Sequence, residues 1–409
     1  MNTLQLLALT VGAIALAASL GLSILLLGLQ GVFAKAPRLW QTDDQELIDA
    51  SLTVVIPAFN EENNIERCLN HVLTSEMPCS QWEVIVVDDQ SSDSTVNIAN
   101  ETIAACHHSE HPRASVLQAG PRPLGERWVG KNWGCSRAME QIHSNWVLFI
   151  DADVAVSPHA IRRALNQSIK EKVDLFSLAP RLTCACLAEW MVQPIMASLL
   201  GLGFSILEAN DPDSKVAFAA GPFMLFRKES YDLIGGHKAL AGEVVEDLAL
   251  ARLIKKKGFR LRYVLGIDAV ELQMYNNFEA LWEGWSKNWF LGLDSSISKS
   301  LGAGAVVLLM FTIPWFLLPA SLVLTVLSDH DQKLWLADAF LGLIAILMQL
   351  SVRLWTRSRF LIPMRHWWLM GAGGLIIGLI APSSVWKSLT GQGWTWKGRS
   401  LAEPNALQQ

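Results

Sequence analysis

A mainly parallel α/β sheet, with membrane-spanning helices before and after it in the chain, is the fold class predicted by three observations. Residues 1–34 carry no charged side chain, and the stretch Leu6 to Leu29 is long enough to cross a bilayer. From about residue 45 to 275, short β-type apolar runs alternate with helical amphipathic segments, the pattern of an α/β domain. Beyond residue 276 the chain turns apolar and tryptophan-rich, with 11 of its 17 tryptophans from Trp282 onward. Tryptophan favours the membrane–water interface. The balance of 51% hydrophobic against 17% charged residues, over 409 residues, leans the same way.

The elements follow in order. Residues 1–34 read as an uncleaved anchor; a cleaved signal peptide would want a basic start and a small-residue cleavage site. Leu52 to Ile56 is a buried-type strand. After Pro57 a helix carries Ile65, Leu69, Val72 and Leu73 on one face. Val84 to Val87 is a second strand, Val116-Leu117 a third, and Trp146 to Ile150 a fourth. Ser157-Pro158 reads as the N-cap and N1 of the next helix. Strand–helix alternation of this kind puts helices on both faces of the sheet. Ligands of such sheets bind beyond the carboxyl ends of the strands, where Asp88, Asp89, Asp151 and Asp153 fall.

The boundaries expected are 1–34 for the anchor, 45–275 for the α/β domain and 276–300 for an interfacial amphipathic segment. Membrane helices are expected over 301–386 and a short tail over 387–409. The apolar runs are Leu301 to Leu327, Leu334 to Val352, and a shorter, glycine-rich third from Trp367 to about Ala381 that could be re-entrant. Lys35, Arg38 and the loop with Arg353, Arg357, Arg359 and Arg365 put the α/β domain in the cytosol by the positive-inside rule. Lys387, Lys397 and Arg399 would then lie outside if every run crosses. Net charge of −5 gives no support to a nucleic-acid partner. The six cysteines lack paired zinc spacing, and Cys184-x-Cys186 reads as packing. The His107, His108 and His111 cluster reads as a surface loop, and Lys255-Lys256-Lys257 as a solvated face.

The chemistry lies in the strand-end turns. The pentad Ile150-Asp151-Ala152-Asp153-Val154 delivers two carboxylates from a buried run, hard oxygen donors suited to Mg²⁺ or Mn²⁺ with water and phosphate completing the shell. The first strand ends in Pro57-Ala58-Phe59-Asn60-Glu61-Glu62, the second in Asp88-Asp89-Gln90-Ser91-Ser92-Asp93. Each alone could be a capped turn. Together they form a polar rim able to bond a base N–H or ribose hydroxyls. No Gly-x-Gly-x-x-Gly follows the first strand and no Walker loop is present, so dinucleotide and P-loop chemistry lose support.

These residues resemble the family 2 inverting glycosyltransferases, whose fold is the Rossmann-like GT-A type. The hallmarks are Pro-x-x-Asn-Glu, Val-Asp-Asp-x-Ser-x-Asp, Asp-x-Asp and a later Glu-Asp pair, here Glu246-Asp247, over about residues 50 to 290. Gly125 to Trp133, Ala220 to Arg227, Ile234-Gly235-Gly236-His237 and Trp394 to Arg399 resemble segments of bacterial carotenoid- and hopanoid-associated transferases, and in part of ceramide glucosyltransferases. The resemblance implies nucleotide-sugar contacts at Pro57, Ala58, Asn60, Glu61, Asp89, Lys131, Asp151 and Lys287, a divalent metal at Asp153 and Asp151, and Asp247 as general base. It implies Gly221, Glu246, His237 and Trp289 on the acceptor side. A helix start at Asp247 would lower its pKa. In place of Gln-x-x-Arg-Trp stands Trp285-Ser286-Lys287-Asn288-Trp289, whose lysine is a point charge without the bidentate fork. Trp282, Trp285 and Trp289 recur at near-helical spacing, suiting an interfacial helix or core packing alike.

The expected activity is transfer of one sugar from a nucleotide sugar, UDP-linked first, to a hydroxyl of an apolar lipid at the cell membrane. A carotenoid is the first acceptor, a hopanoid or sphingolipid-like lipid the next. The alternatives are a polyprenyl-phosphate sugar transferase, a processive polysaccharide synthase, and a non-catalytic membrane transport or scaffold protein.

Overall fold

The computed structural model describes residues 3–41, 48–106, 112–328, 331–390, 395–396 and 399–400. His107, His108, His111, Trp394, Lys397 and Gly398 lie outside these residues.

The strands are β1 (Ser51–Ala58), β2 (Gln81–Asp88), β3 (Arg113–Gln118), β4 (Trp146–Ile150), β5 (Val154–Val156), β6 (Leu175–Ala179), β7 (Arg181–Leu182), β8 (Phe223–Arg227), β9 (Leu261–Leu265) and β10 (Val270–Leu272), with a short pair β11 (Thr395–Trp396) and β12 (Arg399–Ser400) near the end. The helices are α1 (Thr3–Lys35), α2 (Ile65–Leu73), α3 (Thr95–Ala105), α4 (Asn132–Met139), α5 (Ala160–Lys170), α6 (Leu187–Gly203), α7 (Ile206–Asn210), α8 (Lys228–Leu233), α9 (Gly236–Ala239), α10 (Glu246–Lys256), α11 (Phe278–Gly292), α12 (Ile297–Val307), α13 (Ile313–Leu327), α14 (Gln332–Phe360) and α15 (Met370–Leu389). A π turn, Leu308–Thr312, joins α12 to α13.

The chain divides into two compact units. One comprises residues 35–183 and 204–274; the other comprises residues 1–34, 184–203 and 275–409. The first holds a seven-stranded sheet in the order β3-β2-β1-β4-β8-β6-β9. Strands β1, β2, β3 and β4 run parallel, and so do β6 and β9. Strand β8 is antiparallel to both its neighbours, β4 and β6. The predicted α/β class and mainly parallel sheet are borne out, with this one reversed strand making the sheet mixed. A second sheet, β5-β10-β7, lies beside it in the same unit.

Alternation along the buried strands feeds two cores. Val54, Ile56, Leu148 and Ile150 pack on one face with Ile65, Cys68 and Leu69 of α2 and Ile161 and Leu165 of α5. Val55, Val147 and Phe149 pack on the other with Cys135 and Ala138 of α4 and Leu250, Ala251 and Ile254 of α10. Both faces of β4 are therefore covered, which is why its five residues are an unbroken apolar run. The helix expected at Ser157-Pro158 begins later. His159 occupies the cap position before α5, and the Ala160 amide bonds the Ser157 carbonyl at 3.0 Å, so Ser157-Pro158 belongs to the preceding turn.

Lys255 is not on a solvated face. Its Nζ donates to the carbonyls of Glu208 (3.2 Å), Ala209 (3.3 Å), Asp211 (2.7 Å) and Val216 (2.6 Å), holding the C-terminal end of α7 and the chain beyond it. Lys256 and Lys257 are exposed.

The other unit is helical apart from the short pair β11–β12. Among the described residues, four helical segments are long and apolar enough to cross a membrane: Thr3–Lys35, Ile297–Leu327, Gln332–Phe360 and Trp367–Leu389. The last spans 23 residues, so the run expected to be short is long enough by length and composition. Helix α6 belongs to this unit too, although its sequence falls within the stretch expected to be α/β. The Glu189 carboxylate in α6 accepts from the amides of Ala185 (2.8 Å) and Tyr275 (3.0 Å), bonds that satisfy a fully buried acid. Helix α15 packs through glycines. A Cβ at Gly371, Gly373, Gly374 or Gly378 would come within 3.0 Å of Trp315, the Met191 backbone, Phe311 with Thr312, or Leu308. Trp285 and Trp289 of α11 are buried. Trp289 Nε1 bonds the Ser300 carbonyl at 3.2 Å, and Phe290 N donates to Ser384 Oγ of α15 at 3.1 Å. These two tryptophans are core residues of their unit.

Candidate active site

The register sets the site. Ala58 of β1 pairs with Asp88 of β2, and Ile150 of β4 pairs with Phe223 of β8. Because β8 runs the opposite way, its entry turn, Gly221-Pro222, reaches the same sheet edge as the exits of β1, β2 and β4. The Asp151 amide bonds the Pro222 carbonyl there at 3.4 Å.

The first two turns are cross-linked. Asn60 adopts φ of 52°, and its Oδ1 accepts from the Ser92 amide at 2.9 Å while its own amide donates to Ser91 Oγ at 2.9 Å. The Glu61 amide donates to Thr95 Oγ1 at 2.7 Å, and the Ser94 amide to Glu62 Oε2 at 3.1 Å. The Ala58 side chain is buried, and its carbonyl accepts from the Asp89 amide at 2.9 Å. Asp89 in turn meets Arg122, whose guanidinium lies 2.5 Å from Asp89 Oδ2 and also donates to the carbonyls of Trp128 (2.7 Å) and Gly130 (3.3 Å). Arg122 is a site residue missed from sequence. Its only local signal is the pair of flanking prolines, Pro121 and Pro123, which stiffen the turn that carries it.

The segment Gly125 to Trp133 brings in the cation. Asn132 Nδ2 donates to the carbonyls of Leu240 (2.7 Å) and Glu243 (2.9 Å), fastening the start of α4 to the chain before α10. Lys131 beside it places Nζ 2.5 Å from Asp151 Oδ1 and 3.0 Å from Glu246 Oε1, with 13% of its side chain exposed. Burial alone would lower the Lys131 pKa, but the two carboxylates outweigh it and hold the ammonium well above its ordinary range. Burial likewise opposes ionisation of Glu246, and Lys131 outweighs it, so Glu246 lies below its usual value.

Asp247 sits in the first turn of α10. Its Oδ2 accepts from the Gly221 amide at 3.0 Å and its Oδ1 from the Leu248 amide at 2.7 Å. The helix start was expected to depress its pKa. Instead burial, with the charge of Glu246 next, pushes it up to about 6, against the pull of Lys131 and the two amides. Desolvation and a like charge exceed the contribution of a helix terminus.

Pro57, Ala58, Asn60, Glu61, Asp89, Lys131, Asp151, Asp153, Gly221, Glu246 and Asp247 thus gather at one sheet edge. His237 does not face an acceptor space: it is 1% exposed, its Nδ1 bonds the Tyr231 hydroxyl at 2.6 Å, and its ring lies 4.7 Å from that of Phe149. Burial drives its pKa down to about 3, so the ring is neutral. The positive φ of Gly235 (82°) and Gly236 (51°) turns the chain tightly enough to seat it against Tyr231. Lys287 and Trp289 lie on α11, in the other unit.

A divalent ion suits the acids at the edge. Asp153, Asp151 and Glu61 all bear on the buried Cys68 thiol, which burial first and then these charges push up. Among the described residues no group of three or more His, Cys, Asp or Glu forms a metal cage. Two carboxylates with substrate phosphates and water are nevertheless the set Mg²⁺ takes in many phosphate-handling enzymes.

Residues 53–235 match the profile of Glycosyl transferase family 2. Over that stretch the chain is similar to the family 2 glycosyl transferases. Two relatives are named 4,4'-diaponeurosporenoate glycosyltransferase, from Staphylococcus aureus strains bovine RF122 / ET3-1 and USA300. They are 28% and 27% identical over 264 residues, which cover 64% of this chain and 66% of theirs. The match therefore spans just under two thirds of the relatives' length. Among solved structures, a mannosyltransferase from Pyrobaculum calidifontis in complex with GDP-Man and Mn2+ superposes with a TM-score of 0.51 at 16% identity. The alignment covers 92% of this chain and 99% of that one. At that identity the likeness is one of fold alone.

Proposed function

We propose that the protein is a membrane-bound inverting glycosyltransferase that moves a single hexose from a nucleotide sugar to a hydroxyl of an apolar lipid. The observation that carries this is the gathering of Asp89, Asp151, Asp153 and Asp247 at one sheet edge, in a chain similar to the family 2 glycosyl transferases, with Lys131 bonded between Asp151 and Glu246. Asp89 and the Pro57–Glu62 turn receive the nucleoside, UDP first. Asp151 and Asp153 face the sugar diphosphate and hold a Mg²⁺ or Mn²⁺ ion, which when bound supplies Lewis-acid stabilisation of the departing charge.

Asp247 accepts the acceptor hydroxyl proton as the new oxygen–carbon bond forms at the anomeric carbon. The old bond to the diphosphate oxygen breaks with its electron pair leaving on the nucleotide. Gly221 positions that base through its amide. The apolar helical unit supports a lipid acceptor, and the name of the staphylococcal relatives supports a carotenoid-type one first. Lys35, Arg38, Arg357 and Arg359 of the last turn of α14, and Arg365 beyond it support a cytosolic catalytic unit; the expected arginine loop is mostly helical, with Arg353 buried within α14.

Purified protein in detergent with Mn²⁺ is expected to transfer one hexose from one of a panel of nucleotide sugars to an extracted lipid, seen as a single-hexose mass increment. A lack of both transfer and donor hydrolysis across UDP-, GDP- and dTDP-sugars would refute the activity. Lipids of a deletion strain are expected to lack one glycolipid, which names sugar and acceptor together.

A further inference from the structure

The geometry points to Glu246 and Lys131 as positioning residues that set how readily Asp247 takes a proton: Glu246 holds a negative charge beside the base, and Lys131, shared with Asp151, limits that charge. The inference deepens the proposed function and rests on Asp247 being the base.

The arrangement is specific. Glu246 and Asp247 are adjacent residues at the start of α10, but their carboxylates have different partners. Glu246 Oε1 receives Lys131 at 3.0 Å and keeps 15% of its side-chain exposure, whereas Asp247 is bonded only by the Gly221 and Leu248 amides among the contacts described above. Lys131 has a second charge to serve, Asp151 at 2.5 Å, so one ammonium is shared between two carboxylates. Glu246 is thus a second carboxylate next to Asp247 whose ammonium partner is shared, in a setting where solvent screens their repulsion poorly. The upward displacement of Asp247 agrees in direction, with burial and Glu246 as its two leading causes. The other groups facing the cluster do not cancel that repulsion. Tyr263 of β9 feels the Asp247 charge and stays protonated, and the buried His237 behind Glu246 is neutral.

The same count ties the two halves of the site. Lys131 touches the donor-side acid directly, whereas Glu246 touches it only through Lys131. Their substitution should therefore split. Glu246→Gln removes the neighbouring charge and is expected to move the acid limb of the kcat/KM profile about one pH unit lower, leaving the donor KM near wild type. Lys131→Met is expected to move that limb about one unit higher and to raise the donor KM. Lys131→Arg is expected to restore the limb. A role confined to folding would lower activity without displacing the limb in opposite directions.

The test is the pH dependence of transfer by full-length protein in detergent, with donor affinity measured by calorimetry on the same preparations. If Lys131→Met does not fold, Glu246→Gln alone decides. An acid limb unchanged or raised in Glu246→Gln overturns the inference while leaving the proposed activity standing. Full activity of Asp247→Asn overturns the base assignment first and this inference with it.

Discussion

Replacement of Asp247 by asparagine separates the chemistry of the base from its packing. The side chain keeps its size and one oxygen. In the native protein Oδ2 accepts from the Gly221 amide at 3.0 Å and Oδ1 from the Leu248 amide at 2.7 Å. An amide offers one acceptor, so one of these backbone N–H groups meets an NH₂ and loses its partner. An unsatisfied, partly buried donor costs ~1–3 kcal/mol. For a domain of this size each kcal/mol lowers Tm by ~2–4 °C. The variant therefore stays folded at room temperature. The catalytic loss is larger, ~100- to 10,000-fold, the usual contribution of a general base.

The native enzyme should also show the signature of an acid with its pKa near 6. Ionised Asp247 is the active form, so kcat/KM is flat above that pH and falls about tenfold per unit below it. The residual activity of the variant should lack that limb. The assay is transfer of labelled sugar against pH, with donor binding by calorimetry and Tm by scanning fluorimetry. Donor affinity should change little, because Asp89, Asp151 and Asp153 are untouched. Activity of Asp247→Asn within twofold of native would refute the reasoning.

Three further outcomes follow from the same geometry. In Gly221→Ala the new Cβ lies 3.0 Å from Asp247 Oδ2 and displaces the base by a few tenths of an ångström; kcat should fall about tenfold, a misplacement smaller than the ~1 Å that costs ~100-fold, with Tm changed by less than in Asp247→Asn. In Gly373→Ala the Cβ collides with the Met191 backbone of α6, so thermal stability in detergent should drop by ~1–3 kcal/mol or more, and an unchanged Tm would refute the close packing of α15 on α6. Chelation with EDTA should abolish transfer and Mn²⁺ should restore it, whereas undiminished turnover in EDTA would remove the metal from Asp151 and Asp153.

What could be read from the chain, and what could not, divides by sequence distance. The acid-bearing strand ends were legible because each carboxylate follows an apolar run, so local pattern fixed both strand and edge. Asp151 and Asp153 after Trp146 to Ile150 are the clearest case. Arg122 was not, because its partner Asp89 lies 33 residues away and nothing local marks the pairing. Helix α6 lies within the stretch 45–275 expected to be α/β, yet it belongs to the helical unit, where its Glu189 and Gln193 are buried; nothing local in the sequence marks that change of partner. His237 after two glycines could equally have faced solvent, and only the Tyr231 hydroxyl decides otherwise. The pKa of Asp247 was misjudged for the same reason. A helix start is a local feature, whereas the burial and charges that outweigh it come largely from the fold.

The glycines of α15 carry a consequence for biosynthesis. Each weakens a helix by about 1 kcal/mol relative to alanine, so the four positions together leave the segment poorly disposed to form by itself. Its compensation is the close fit to Met191, Leu308, Phe311, Thr312 and Trp315, all of which precede it in the chain. When α15 leaves the ribosome, the surfaces that stabilise it have already been synthesised. The order of translation thus supplies the template before the segment that needs it, and a rearranged chain with α15 first would insert its weakest helix unaided.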